Sequence, residues 1–277
     1  GGVILIVLGL VPGMPTVIFL SLGLGSGALA VWLSQNNALA LSTDNLETNL
    51  LSENADPVLE ELNWDDVEQV DLVGLDIGYG LIPLVNPETG GQLLPRVKGI
   101  RKKLSAELGF LIQPIRVRDD LELSPDVYHI VMNGVVRGKG EIRIGKEMAI
   151  NPGQGHGALQ GESTKEPAFG LDALWIDASQ RDHARTLGYT VVDSATAIAT
   201  HLNTLLRNNA PELLGHDETQ QLLDKVAAKS PKLVEDLVPG KLPLATVTRV
   251  LQNILDDGVS VRDMRTVIEV LSTESTQ

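Results

Sequence analysis

Two apolar stretches open the chain. Gly1 to Leu10 is apolar, Val11-Pro12-Gly13-Met14-Pro15 interrupts it, and Thr16 to Leu33 runs for 18 residues without a charge. At 1.5 Å per helical residue, such a run just crosses a hydrocarbon core. Pro and Gly crowded between the runs give a tight turn. The pattern predicts a membrane helical hairpin over residues 1–37, its first span cut by the start of the sequence. Gly23, Gly25, Ser26 and Gly27 place small residues on the second span, as close helix packing in lipid prefers. A signal peptide fits less well, because no basic region precedes the run and a turn splits it. A buried pair of soluble helices is the other alternative. A start at Gly1-Gly2 inside an apolar run reads as a piece of a longer protein.

Alternation and helical spacing take over after residue 69. Val70 to Ile77 alternates like a strand, and Gly78-Tyr79-Gly80 turns the chain. Leu93 to Leu108 has Val97, Ile100, Leu104 and Leu108 at helical spacing, with Gly109 placed as a C-cap. Ile115 to Arg118, Tyr128 to Met132 and Glu141 to Ile144 read as strands. Asn133-Gly134 supplies a hairpin turn. Residues 151–170 are loop-like. Leu174 to Ile176 and Thr190 to Val192 read as short strands around a helix from Ser179 to Leu187. From Ser194 the pattern is helical. Ser194 is placed to cap a helix carrying Ile198, Leu202, Leu205 and Leu206. Asp217 begins a second helix with Leu222, Leu223 and Val226. Leu244 to Leu255 forms a third, and Ser260 opens a fourth with Met264, Val267, Ile268 and Leu271. The fold class is α+β, mixed first and all-helical last.

Charge divides the chain differently. Thirty-six acids against 22 bases leave a net charge of −14 over 277 residues. Residues 44–95 hold twelve acids and no base, and the first base is Arg96. That stretch reads as a solvated, self-repelling linker over 38–71, or as an acidic segment that docks on a neighbour with Trp64 as its anchor. An acidic chain is a poor partner for phosphate backbones, so no nucleic-acid role is expected. The absence of cysteine excludes disulfides, thiolate metal sites and cysteine nucleophiles.

Little of the remaining chemistry points to an enzyme. Gly140 to Lys146 fits G-x-x-x-x-G-K, but Glu147 stands where a Ser or Thr must reach magnesium, and its middle alternates like a strand. Gly153-Gln154-Gly155-His156-Gly157 can cradle an anion, yet lacks a strand–loop–helix setting. His129, His156, His183, His201 and His216 show no metal-ligand spacing, so no metal and no cofactor are expected. His201 reads as a packed or surface histidine. Linker carboxylates stay solvated and make poor acid–base pairs. Glu166-Pro167-Ala168-Phe169-Gly170 sets an aromatic between Pro and Gly with an acid three residues before it. That suits an apolar anchor with a polar rim, or a local core plug.

Several of these segments resemble the large export-gate family of type III secretion systems. They are Gly9 to Pro15, Asp76 to Val85, Arg96 to Lys103, Arg116 to Leu121, Glu166 to Leu171, Ala199 to Leu202, Pro231 to Pro239 and Val261 to Thr266. They run in one order over nearly the whole chain, and the stretches Val191 to Leu202 and Glu212 to Asp224 look flagellar rather than injectisome-like.

The resemblance implies a non-enzymatic, multi-pass protein of the bacterial inner membrane with its C-terminal region cytoplasmic. It implies a first α/β subdomain over 72–144 with 194–213, an inserted second subdomain over 145–193, and a truncated helical third over 214–277. In the family's flagellar members a dimple receives flagellar export chaperone–cargo complexes. Matched motif by motif, its residues here are Glu166, where Asp is usual, Phe169 and Thr200. Other implied partners are export-gate and export-ATPase-complex proteins and further copies in a nonameric ring. The rival readings are the virulence-injectisome paralogue, a membrane-anchored enzyme using the 153–157 loop, and a scaffold without cargo contact.

Overall fold

A computed structural model describes residues 70–153 and 158–274. The predicted membrane hairpin, nearly all of the acidic linker with Trp64, and residues 154–157 of the glycine-rich loop lie outside the described residues. Among the described residues, no helix is long and apolar enough to cross a membrane.

Two four-stranded sheets come first in the chain. β1 (Val73–Ile77), β2 (Arg116–Asp119), β3 (Val127–Met132) and β4 (Val135–Glu141) form a sheet of order β2-β1-β3-β4. β1 runs parallel to β2 and antiparallel to β3, and β3 pairs antiparallel with β4. The parallel pair needs a crossover, which α1 (Leu93–Leu108) provides. The second sheet is antiparallel throughout. β5 (Lys146–Ile150), β6 (Glu162–Lys165), β7 (Asp172–Asp177) and β8 (Thr190–Asp193) lie in the order β6-β7-β5-β8. α2 (Arg181–Thr186) packs on β5 and β8 and closes a small core of Ala149, Ile176 and Ala184.

The helix α3 (Ser194–Asn208) returns from the second sheet to the first and packs against α1. α4 (His216–Ala227), α5 (Pro231–Glu235), α6 (Leu244–Asp256) and α7 (Met264–Glu274) follow. Their buried Leu222, Leu223, Val247, Leu251 and Ile268 join Leu75, Ile130, Leu104 and Leu202 in one continuous core. Met148 and Trp175 of the second sheet reach the same core. α1 is fastened to the helical part at its end. Val261 N donates to Leu108 O at 2.9 Å, and the backbone of Arg262 crowds Gly109, whose φ of 101° a side chain rarely adopts.

Four details differ from the pattern-based expectation. The strand expected at Glu141 to Ile144 lies earlier, as β4, and residues 142–145 form its exit, with Ile142 buried and Ile144 exposed. Gly138 and Gly140 obscured it, since glycine weakens a strand pattern. The loop-like stretch after 151 contains β6, whose four residues are polar because it is a sheet edge. Ser194 is not the cap of its helix. Asp193 accepts from Thr196 N at 2.7 Å, while the buried Ser194 hydroxyl donates to Arg143 O at 3.1 Å. Ser260 likewise precedes a turn, and Asp263 accepts from Thr266 N at the start of α7.

Candidate functional site

Strands β6 and β7 are joined by the turn that carries Phe169. Glu166 N donates to Leu171 O at 2.8 Å, and Gly170 N donates to Glu166 O at 2.9 Å, closing the turn on its own backbone. The Glu166 carboxylate then folds under the turn. One oxygen accepts from Ala168 N at 2.8 Å and the other from Phe169 N at 2.7 Å. Both amides would otherwise lack a partner inside a tight loop, and a charged acceptor makes the stronger kind of hydrogen bond. With both oxygens engaged below, the Phe169 ring is left on the outside, 66% exposed, beside Leu171 at 41%. The local-plug alternative for Phe169 does not describe this geometry.

Glu166 is not on a rim. It is 2% exposed, so its role is to shape the turn from beneath. Thr200 lies half-buried on α3, one residue before His201. His201 is 8% exposed and sits in the buried face with Ile198, Leu202 and Leu205. Its Nδ1 shares a 2.8 Å hydrogen bond with the Tyr128 hydroxyl of β3, and the two rings meet edge to face at 5.8 Å. Burial keeps His201 protonation below the ordinary histidine range and drives Tyr128 ionisation above the ordinary tyrosine range. The charge acting on both groups is Glu166, which opposes the first shift and adds to the second.

The sequence reading leaves His201 as a packed or surface histidine and does not pair it with Tyr128; the structure buries both. One signal was available. Gly138 and Gly140 share a face of β4 across from Ile130 and Tyr128. A Cβ on Gly138 would come within 2.9 Å of the His201 ring, and one on Gly140 within 2.6 Å of the Tyr128 hydroxyl. The glycines clear the space that the pair fills. The G-x-x-x-x-G-K match spans the end of β4 and its exit rather than a phosphate-binding loop before a helix. Among the described residues no group of three or more His, Asp or Glu side chains is arranged to hold a metal.

The whole chain, residues 1–277, matches the FHIPEP family. The chain belongs to that family. It is 46% identical over 265 residues to the flagellar biosynthesis protein FlhA of Escherichia coli K12, covering 96% of this chain and 38% of that protein. The chain thus spans well under half the length of such FHIPEP relatives. Its fold is similar to that of the Chlamydia pneumoniae CdsV protein, with a TM-score of 0.65 at 21% identity, over 77% of this chain and 64% of that one. It is also similar, with a TM-score of 0.54 at 20% identity, to the nonameric EscV cytosolic domain from the type III secretion system, over 74% of this chain and 59% of that one. The resemblance read from the motifs holds at the level of the family, and the relatives bearing the flagellar name are those with high identity.

Proposed function

We propose that the chain is part of a non-enzymatic export-gate subunit of the flagellar type III secretion apparatus, and that its 166–171 turn, with Thr200, docks chaperone–cargo complexes. The observation that carries the reading is an aromatic held out in solvent by a purpose-built turn. Exposing Phe169 costs apolar burial, and Glu166 spends both carboxylate oxygens on keeping it there. A rigid, exposed aromatic is the kind of anchor that dominates interface energetics. In this reading residues 1–37 anchor the protein in the bacterial inner membrane, and 38–71 tether the platform to them. Residues 72–144 with 194–213, 145–193 and 214–277 are its subdomains on the cytoplasmic side, and further copies complete a ring. Relatives with flagellar names favour this branch over the injectisome paralogue.

The test is calorimetric titration of the chain with a flagellar chaperone bound to its filament cargo, beside Phe169→Ala. Binding in the micromolar range that weakens about tenfold, about 1.4 kcal/mol, in the variant is the expected result. Equal binding by a folded variant would move the docking site elsewhere and favour a scaffold role.

A further inference from the structure

Two loops interlock where β1 and β2 end. Asp120 N donates to Ile77 O at 2.9 Å, and Gly78 N donates to Val127 O at 2.8 Å. Gly78 and Gly80 lie so close to the second loop that a Cβ would come within 2.1 Å of Ser124 O and 2.8 Å of Pro125 O. Backbone therefore touches backbone, which only glycine permits. Each loop turns apolar side chains outward. Leu121 is 79% exposed, Tyr79 57% and Ile82 40%, while Leu81 between the last two is fully buried. The loop carrying Leu121 is held in place. Asp120 donates its amide to β1 and accepts from Glu122 N at 2.8 Å, so the backbone on both sides of the leucine is fixed.

A lone exposed leucine needs no explanation. Here three apolar side chains stand out from two loops locked to each other, and the charges beside Leu121 are of one sign. Asp119, Asp120 and Glu122 flank it, and among the described residues none of the three is ion-paired. Arg118, the cation just before them, is taken up by Asp76 at 3.2 Å and by Asp71 at 3.9 Å.

We infer that the interlocked 78–82 and 119–122 loops form a docking surface separate from Phe169, and that its occupant is a basic, amphipathic segment of a partner protein. Leu121, Tyr79 and Ile82 supply the apolar area that gives a contact its affinity. The acids decide the sign of the partner: three carboxylates without a cation of their own attract lysine and arginine and repel an acidic segment. Tyr79 serves both demands, because the face of an exposed ring takes apolar contact and attracts a cation. The surface needs little rearrangement to bind, since both loops are already fixed by backbone contacts. The inference does not depend on the docking reading of Phe169, which lies on the other sheet.

The probe is a synthetic amphipathic peptide of leucine and lysine at helical spacing, with its leucine–glutamate counterpart as control, each added to the whole chain. Hydrogen exchange should show new protection at 78–82 and 119–123 with the lysine peptide and none with the glutamate peptide. Leu121→Ser, a change at an exposed position, should abolish that footprint and weaken binding about fivefold or more. Asp119→Asn with Glu122→Gln leaves Asp120 to hold the loop, and should weaken binding at low salt but little at high salt. Phe169→Ala should bind the lysine peptide as the parent does. A footprint confined to other acidic parts of the chain, such as residues 44–69, would overturn the proposal. So would equal binding of the glutamate peptide, or an unchanged footprint in Leu121→Ser. Self-association of the chain that Leu121→Ser abolishes, seen by sedimentation without any peptide, would give the surface to a second copy and equally overturn it.

Discussion

At the scale of the residue, the strongest constraint lies where backbone and ring meet. Gly140 stands against the Tyr128 hydroxyl so closely that a methyl group would sit 2.6 Å from it. Tyr128 is fully buried and cannot swing aside without vacating its hydrogen bond to His201. Gly140→Ala is therefore expected to destabilise the fold by about 1–3 kcal/mol, as overpacking of a filled core does, measured by urea unfolding. Propensity alone makes the opposite prediction, since alanine costs less chain entropy than glycine. The same residues mark the limit of what could be read in advance. Phe169 stands out in the sequence, because an aromatic between Pro and Gly in a polar loop is locally unusual, but whether it lies outside or plugs the core is decided only by its exposure in the folded turn. Glu166 was legible as an acid at the right spacing, but not as a buried one. Its place under the turn depends on which amides the folded turn leaves unpaired.

The elements were legible in proportion to how local their causes are. α1 begins and ends where its apolar spacing and Gly109 predict, at Leu93 and Leu108, because hydrogen bonds and side-chain spacing within the helix decide them. β4 was misplaced because what stabilises it is α3 lying across its glycines, a contact no window of sequence contains. The pattern predicts Ser194 as the cap of α3 and a start for α7 at Ser260, whereas Asp193 and Asp263 accept the hydrogen bonds at these helix starts. Asp and Ser cap comparably well, and the choice fell to tertiary demands, since Ser194 is needed to satisfy the Arg143 carbonyl. The helices after α3 share a core with the first sheet rather than building their own. Leu251→Ala in α6 is thus expected to cost about 2–5 kcal/mol. It should shift the far-UV and near-UV circular dichroism transitions together. Separate transitions would show that the helical part melts as an independent unit.

Over the whole described molecule, the two sheets are connected by a charged hub as well as by the chain. Arg143, at the exit from β4, bonds Asp126 at 3.1 Å and Glu162 of β6 at 2.9 Å, and also pairs with Glu141. Asp126 and Glu141 belong to the first sheet's region and Glu162 to the second sheet. These groups are partly exposed, so each pair is individually weak and screened by salt. Arg143→Ala leaves three acids facing one another, and a loss of about 1 kcal/mol is expected in low salt, shrinking at high ionic strength. A loss independent of salt would point instead to packing by the arginine's aliphatic stem.

Sequence by itself determined the family and most of the order of elements, because periodicity, turn residues and short motifs are written within a few residues of one another. It equally marked the apolar start and the acidic segment as separate in character from the rest. Only the tertiary structure decided the burial of Glu166, the pairing of Tyr128 with His201 across 73 positions, and the use of Gly138 and Gly140 to make room for that pair. The physical reason is that a buried polar group takes its meaning from its partners, and those partners are brought together by chain segments that meet only once the core has closed.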